Sequence, residues 1–192
     1  MQLRKDLAMP YKSSTTYAIL GLLTIKPMSA YELVKFSKET IGFFWNESYG
    51  NIHKNLKNLL DEGWVDLLQD QSDPRGKKTY AINPAGRQQL GDWLASPPEE
   101  VLLRDELLLK LFVSEQKDLG SVVAFVEQEA KQMAEAVAVL EQVAQGIQAV
   151  DQDPVRKELW MLTLAYGKSY AQTRLAWCQE VDQKLKRIND RG

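Results

Sequence analysis

The chain has 192 residues, 44% hydrophobic and 26% charged, with a net charge of −2. That suits one or two globular domains with their own cores and excludes a general polycation. One cysteine, Cys178, excludes an internal disulfide, and one histidine, His53, excludes the common His/Cys zinc sites.

Charge is unevenly placed. Residues 1–96 carry 12 Lys and Arg against 10 Asp and Glu, and residues 97–192 carry 12 against 16. A polyanionic partner is therefore expected on the N-terminal half. A reducing, cytoplasmic compartment is the default expectation. Arg4, Lys5 and Lys12 ahead of the apolar run Tyr17–Ile25 resemble a secretory leader. Asp6, Pro10 and the Lys26-Pro27 break argue against one, and no run reaches the ~18–20 apolar residues that span a bilayer.

Ser13 and Ser14 can cap a first helix with Ala18, Ile19, Leu22 and Leu23 on one face. Ser29-Ala30-Tyr31-Glu32 is a capping box opening a second helix to about Glu39. A third opens near Ser48, with Ile52, Leu56, Leu59 and Leu60 inward and Gly63 as its stop. Ser48–Leu60 contains no acidic residue, and neither does Pro74–Gly91. Trp64–Leu68 and Lys77–Ile82 read as strands around the turn signal at residues 70–76. Asn83-Pro84 then starts a helix with Leu90, Trp93 and Leu94 inward. This order predicts a mainly α fold that begins with a winged helix-turn-helix domain with a two-stranded wing.

Ser96-Pro97-Pro98 marks the domain boundary, giving residues 1–96 and 97–192. The second domain is expected to be all-α with long helices. Residues 102–112 give a short apolar helix. Gln116–Val150 repeats apolar residues every seven positions, and Val126, Met133, Leu140 and Ile147 form one such series. Asp151–Pro154 makes a reversal into a last helix, Val155–Ile188.

These segments resemble the PadR family of bacterial transcription regulators. Tyr17–Leu23 is similar to its first helix, Ser29–Leu33 to the opening of its second, and Gly50-Asn51-Ile52 with Leu56–Leu59 to its third. Gly63-Trp64-Val65, Arg75–Tyr80 and Gly86 continue the likeness, and Arg104–Leu107 resembles the start of the longer C-terminal domain of one subgroup. The chain departs from the family at His53-Lys54, where Tyr-Pro is usual, and at Asn58, where Arg is common. The resemblance implies a homodimer joined through C-terminal helices, repression or activation of genes, and in some members a response to phenolic acids.

A polar helix face entering the major groove of double-stranded DNA needs donors. Ser48, Tyr49, Asn51, His53, Lys54 and Lys57 are the candidates, with the lysines on phosphate and Asn51 and His53 on base edges. Arg75 is a candidate for the minor groove, and Lys77 and Lys78 for flanking phosphates. Tyr31 suits a phosphate or the core equally. Trp93, Trp160, Tyr166, Tyr170 and Trp177 are candidates for a small-aromatic effector pocket where the domains meet, although such spacing also suits core packing. The dimer seam is expected along Val126, Met133, Leu140 and Ile147. No metal site, cofactor or enzymatic centre is expected, because no nucleophile elbow, phosphate loop or metal spacing is present. The rival readings are an activator of the same fold and an interaction module without DNA binding.

Overall fold

The computed structural model describes residues 13–69, 77–101, 103–149 and 152–189. The chain forms two compact units, Met1–Glu99 and Glu100–Gly192.

The N-terminal unit runs α1 (Ser14–Leu23), α2 (Ala30–Thr40), α3 (Tyr49–Asp61), β1 (Val65–Gln69), β2 (Lys78–Ile82) and α4 (Pro84–Leu94). The two strands pair antiparallel from Val65 opposite Ile82 to Gln69 opposite Lys78. Met28, between α1 and α2, bridges Tyr80 with hydrogen bonds of 3.0 and 2.9 Å in both directions. That bridge ties the base of the wing to the helical layer. Leu20, Met28, Leu33, Leu56 and Val65 lie at the centre of the core. Burying such side chains stabilises the fold by about 1.5–3 kcal/mol each.

Local chemistry accounts for the element ends. Ser29 and Glu32 form the complete capping box at the start of α2. Gly63 has φ +69, the left-handed conformation that glycine adopts without strain. The N–H of Trp64 donates to the Leu59 carbonyl at 2.9 Å and that of Gly63 to Leu60 at 3.0 Å. These two bonds close α3 in a Schellman motif. Asn83 caps α4 through the Gly86 N–H, at 3.0 Å. At Gly86 a side chain is excluded, since a Cβ would stand 2.1 Å from the Trp64 carbonyl oxygen.

Several expectations need correction. Ser13 precedes α1 but its side chain makes no cap bond; its carbonyl accepts the Thr16 N–H instead. Leu94, the last residue of α4, is 68% exposed, while Trp93 beside it packs on the core. The wing turn at residues 70–76, Arg75 included, and the reversal at Asp151 lie outside the described residues.

The C-terminal unit runs α5 (Glu106–Val113), a 3-10 turn (Gln116–Asp118), α6 (Leu119–Ala149) and α7 (Pro154–Asn189). At 1.5 Å per residue, α6 and α7 are roughly 46 and 54 Å long. They pack antiparallel through two clusters. Leu119, Val122 and Val126 meet Cys178 and Leu185; Leu140 and Ile147 meet Leu164. Buried Gly167 and Ala171 keep that face of α7 small.

This packing overturns the expected dimer seam. Val126, Leu140 and Ile147 are buried against α7 of the same chain, and Met133 is half-buried between them in sequence. The heptad pattern is satisfied within one copy. The apolar stripe left open lies on α7, where Val155, Leu159, Leu162, Tyr166 and Tyr170 are exposed.

Candidate nucleic-acid interface

α3 is set on the core by Ile52, Leu56 and Leu59, all buried. Ser48 caps it by accepting the Asn51 N–H at 3.2 Å. The opposite side therefore faces solvent, and it carries Tyr49, His53, Lys54 and Lys57. The Tyr49 and His53 rings lie 6.1 Å apart at 29°, one helical turn from each other. Lys54 and Lys57 pair with no carboxylate among the described residues. The result is a cationic ridge with aromatic edges. Its shape and charge suit a groove lined by phosphates.

Asn51 sits differently. It is half-buried, its Nδ2 donates to Glu47 Oε2, and its Oδ1 accepts from Asn55 Nδ2 at 3.1 Å. Sequence reading missed Glu47. Its spacing of four residues before Asn51 was the available signal; its tertiary partner Thr15 left none.

Tyr31, at the start of α2, is 70% exposed. The structure thus places it outside the core, with its side chain open to solvent. Beside it, Glu32 accepts from the Ser29 N–H and hydroxyl, both at 2.8 Å, and from Lys77 Nζ at 2.8 Å. The bond from Lys77, then those from the Ser29 amide and hydroxyl, lower the Glu32 pKa to about 2. Lys77 is therefore a latch between the wing base and α2 rather than a free cation. Lys78 is exposed at the start of β2.

The aromatic candidates for an effector are dispersed. Trp93 stacks on Tyr17 with ring centres 4.9 Å apart, in the N-terminal core. Trp160 and Trp177 pack against different clusters of the helical hairpin. Tyr166 and Tyr170 are exposed. Within the C-terminal unit these side chains form no common pocket in a single copy.

That unit is braced by Arg174, only 13% exposed in its side chain. It meets Asp105 at 2.8 Å, Glu129 at 3.0 Å and the Trp177 ring at 4.7 Å. Burial would push the Asp105 carboxyl up, but the Leu108 N–H and the Arg174 guanidinium outweigh it and hold it below its ordinary value. Burial raises the Cys178 thiol. Among the described residues no group of three or more His, Cys, Asp or Glu could hold a metal. No helix among them is long and apolar enough to cross a membrane.

Residues 19–92 match the Transcriptional regulator PadR-like family, and residues 103–186 match Virulence activator alpha C-term. The chain carries a PadR-like family domain. The Negative transcriptional regulator PadR of Bacillus subtilis (strain 168) is 37% identical over 98 residues, 50% of this chain and 54% of that protein. The chain spans about half the length of the curated relatives it matches. The matched family and relative are transcriptional regulators, not enzymes. A crystal structure of Bacillus subtilis PadR in complex with operator DNA has a TM-score of 0.72 at 23% identity, over 90% of this chain and 99% of that one. A crystal structure of the same protein in complex with p-coumaric acid has a TM-score of 0.67 at 22% identity, over 91% and 99%. At these identities the likeness shows the fold, a winged helix followed by a helical region.

Proposed function

We propose that this chain is a sequence-specific, double-stranded-DNA-binding transcription regulator that works as a homodimer. The observation that carries the reading is the ridge of α3: Tyr49, His53, Lys54 and Lys57 project together from a rigidly capped helix. The operator complex of a protein sharing the fold supports the same mode. Lys54 and Lys57 hold phosphates, and Asn51 and His53 meet base edges, with Tyr49 beside them. Lys78 and Tyr31 add phosphate contacts beside the wing. Paired half-sites follow from a two-fold dimer, so the operator is near-palindromic with centres a helical turn or a small multiple apart.

The open stripe Val155, Leu159, Leu162, Tyr166 and Tyr170 supports α7 as the dimer surface. The output is repression, supported by the negative regulator at 37% identity. The C-terminal match to Virulence activator alpha C-term favours a second reading, activation, and a reporter behind the selected operator separates the two. A small aromatic acid releases the DNA in the repressor reading, supported by the p-coumaric acid complex. Titration with p-coumarate tests this: Trp fluorescence and DNA affinity should both fall, and indifference to flat aromatic acids removes the effector.

The direct test of DNA binding is a salt series on duplex DNA. Each phosphate contact contributes roughly 0.9 to the slope of log affinity against log salt. Lys54→Ala with Lys57→Ala should lower affinity for every sequence and reduce the slope by about 2 per protomer. Unchanged affinity means α3 is not the reading helix.

A further inference from the structure

Glu47 stands immediately before the Ser48 cap of α3. Its carboxylate is shared by two donors from different elements. Thr15 Oγ1 of α1 donates to Oε1, and Asn51 Nδ2 of α3 donates to Oε2. The chain of bonds continues inward. Asn55 Nδ2 donates to Asn51 Oδ1 at 3.1 Å and to the Asn51 backbone carbonyl at 2.9 Å. Thr16 Oγ1 donates to Asn55 Oδ1 at 3.0 Å, with both residues buried.

This clasp permits one arrangement. An Asn amide turned end for end exchanges its donor and acceptor, so its sense depends on its neighbours. A backbone carbonyl only accepts, which holds the Asn55 Nδ2 toward Asn51. A carboxylate also only accepts, which holds the Asn51 Nδ2 toward Glu47. Reversing Asn51 would set its oxygen against the Glu47 carboxylate and its NH2 against that of Asn55. Both contacts are repulsive.

The orientation matters because Asn51 occupies the first turn of α3. N-terminal residues of a recognition helix are the ones that meet base edges. After the clasp is made, the Asn51 amide retains one N–H and one oxygen lone pair. Asn reads adenine by using both kinds of site together. The sense of the amide therefore decides which base edge fits.

We propose that Glu47 is a specificity-determining positioning residue: it fixes the sense of the Asn51 amide and thereby the base pair accepted at the first turn of α3. This rests on the DNA-reading function proposed for α3. Glu47 contributes no affinity of its own, since an anion near phosphates opposes binding.

The test begins with a randomised duplex pool enriched on the wild-type chain. The selected duplex, its single-base variants and an unrelated duplex are then titrated with wild type, Glu47→Gln, Glu47→Asp and Asn51→Ala. The wild type should discriminate at one half-site base pair by roughly tenfold. Glu47→Gln and Asn51→Ala should lose that discrimination at the same base pair and keep it elsewhere. Glu47→Asp, which retains an acceptor-only carboxylate, should keep it. Binding of Glu47→Gln to the unrelated duplex should be unchanged or tighter.

A merely structural clasp would lower thermal stability in Glu47→Gln and leave every base preference intact, which overturns the proposal. Should Glu47→Gln fail to fold, Glu47→Ala carries the same test by removing the acceptor of the Asn51 Nδ2 bond. Loss of preference at that base pair supports the role, and full retention overturns it. A wild-type chain that enriches no sequence overturns the DNA-reading function itself; a selective wild type with equally selective variants overturns only the role of Glu47.

Discussion

The N-terminal unit leaves charge unpartnered, whereas the C-terminal unit leaves apolar surface unpartnered. In the first, the core is closed around Leu20, Leu33 and Leu56, and Lys54 and Lys57 stand in solvent. In the second, α6 and α7 satisfy each other along one face, yet Leu109, Phe112, Leu159 and Leu162 remain exposed. Polar bracing differs as well. The first uses hydroxyls, amides and one carboxylate to set α3 on α1, and the second uses a guanidinium between two carboxylates. The contrast separates two needs. A cationic ridge is complete before its ligand arrives, because water solvates it. An open apolar face is not, because water penalises it until a partner covers it.

The largest effect should come from the brace of the second unit. Arg174→Met removes the cation and leaves Asp105 and Glu129 facing each other, half-shielded from water. Losing the charge-assisted hydrogen bonds of such a partly buried cluster costs about 1.5–3 kcal/mol. Thermal unfolding should show α5 and the hairpin melting early; an unshifted midpoint would mean the ion cluster is solvated. Next comes Leu159→Asp with Leu162→Asp, which puts charge on the open stripe. Sedimentation should show a monomer with an intact helical spectrum. A stable dimer would place the contact elsewhere, with the exposed face of α5 as the next surface to test. Leu140→Asp gives the contrasting case. Its side chain is buried inside one copy, so it should unfold the hairpin rather than only dissociate the dimer.

That last pair of substitutions shows where sequence reading stopped. The seven-residue repeat of α6 correctly demanded a helix against that face, but periodicity carries no mark of which chain supplies it. Here α7 folds back and takes the place of a second copy. The elements of the N-terminal unit were legible because their signals are local. The Ser29–Glu32 box, Gly63 and Asn83-Pro84 each act within a few residues of themselves. The outer face of α3 was legible because Ile52, Leu56 and Leu59 fix the inner one. The bonds that hold Asn51 were not legible, because Thr15 and Thr16, which join its clasp, lie more than thirty residues away in sequence. Gly86 had a physical reason that only coordinates reveal, the backbone of Trp64 against its α-carbon.

The smallest effect concerns Lys77, expected to meet phosphate and found beside Glu32. Glu32 has a folded pKa of about 2, lowered first by the bond from Lys77 and then by those from the Ser29 amide and hydroxyl. A carboxyl depressed on folding contributes stability that is present above its unfolded value and fades as pH falls through the folded one. The window therefore runs from the ordinary carboxylate value of 4.5 down to about 2. Both side chains are partly exposed, so solvent screening limits the pair to a few tenths of a kcal/mol. Lys77→Ala should lower the melting temperature slightly near neutral pH and converge on wild type near pH 2. If Lys77 instead grips phosphate, the same substitution should change the salt slope of DNA binding by about 1 and leave the acid limb of stability untouched. The two experiments assign the wing base either to holding α2 or to holding DNA.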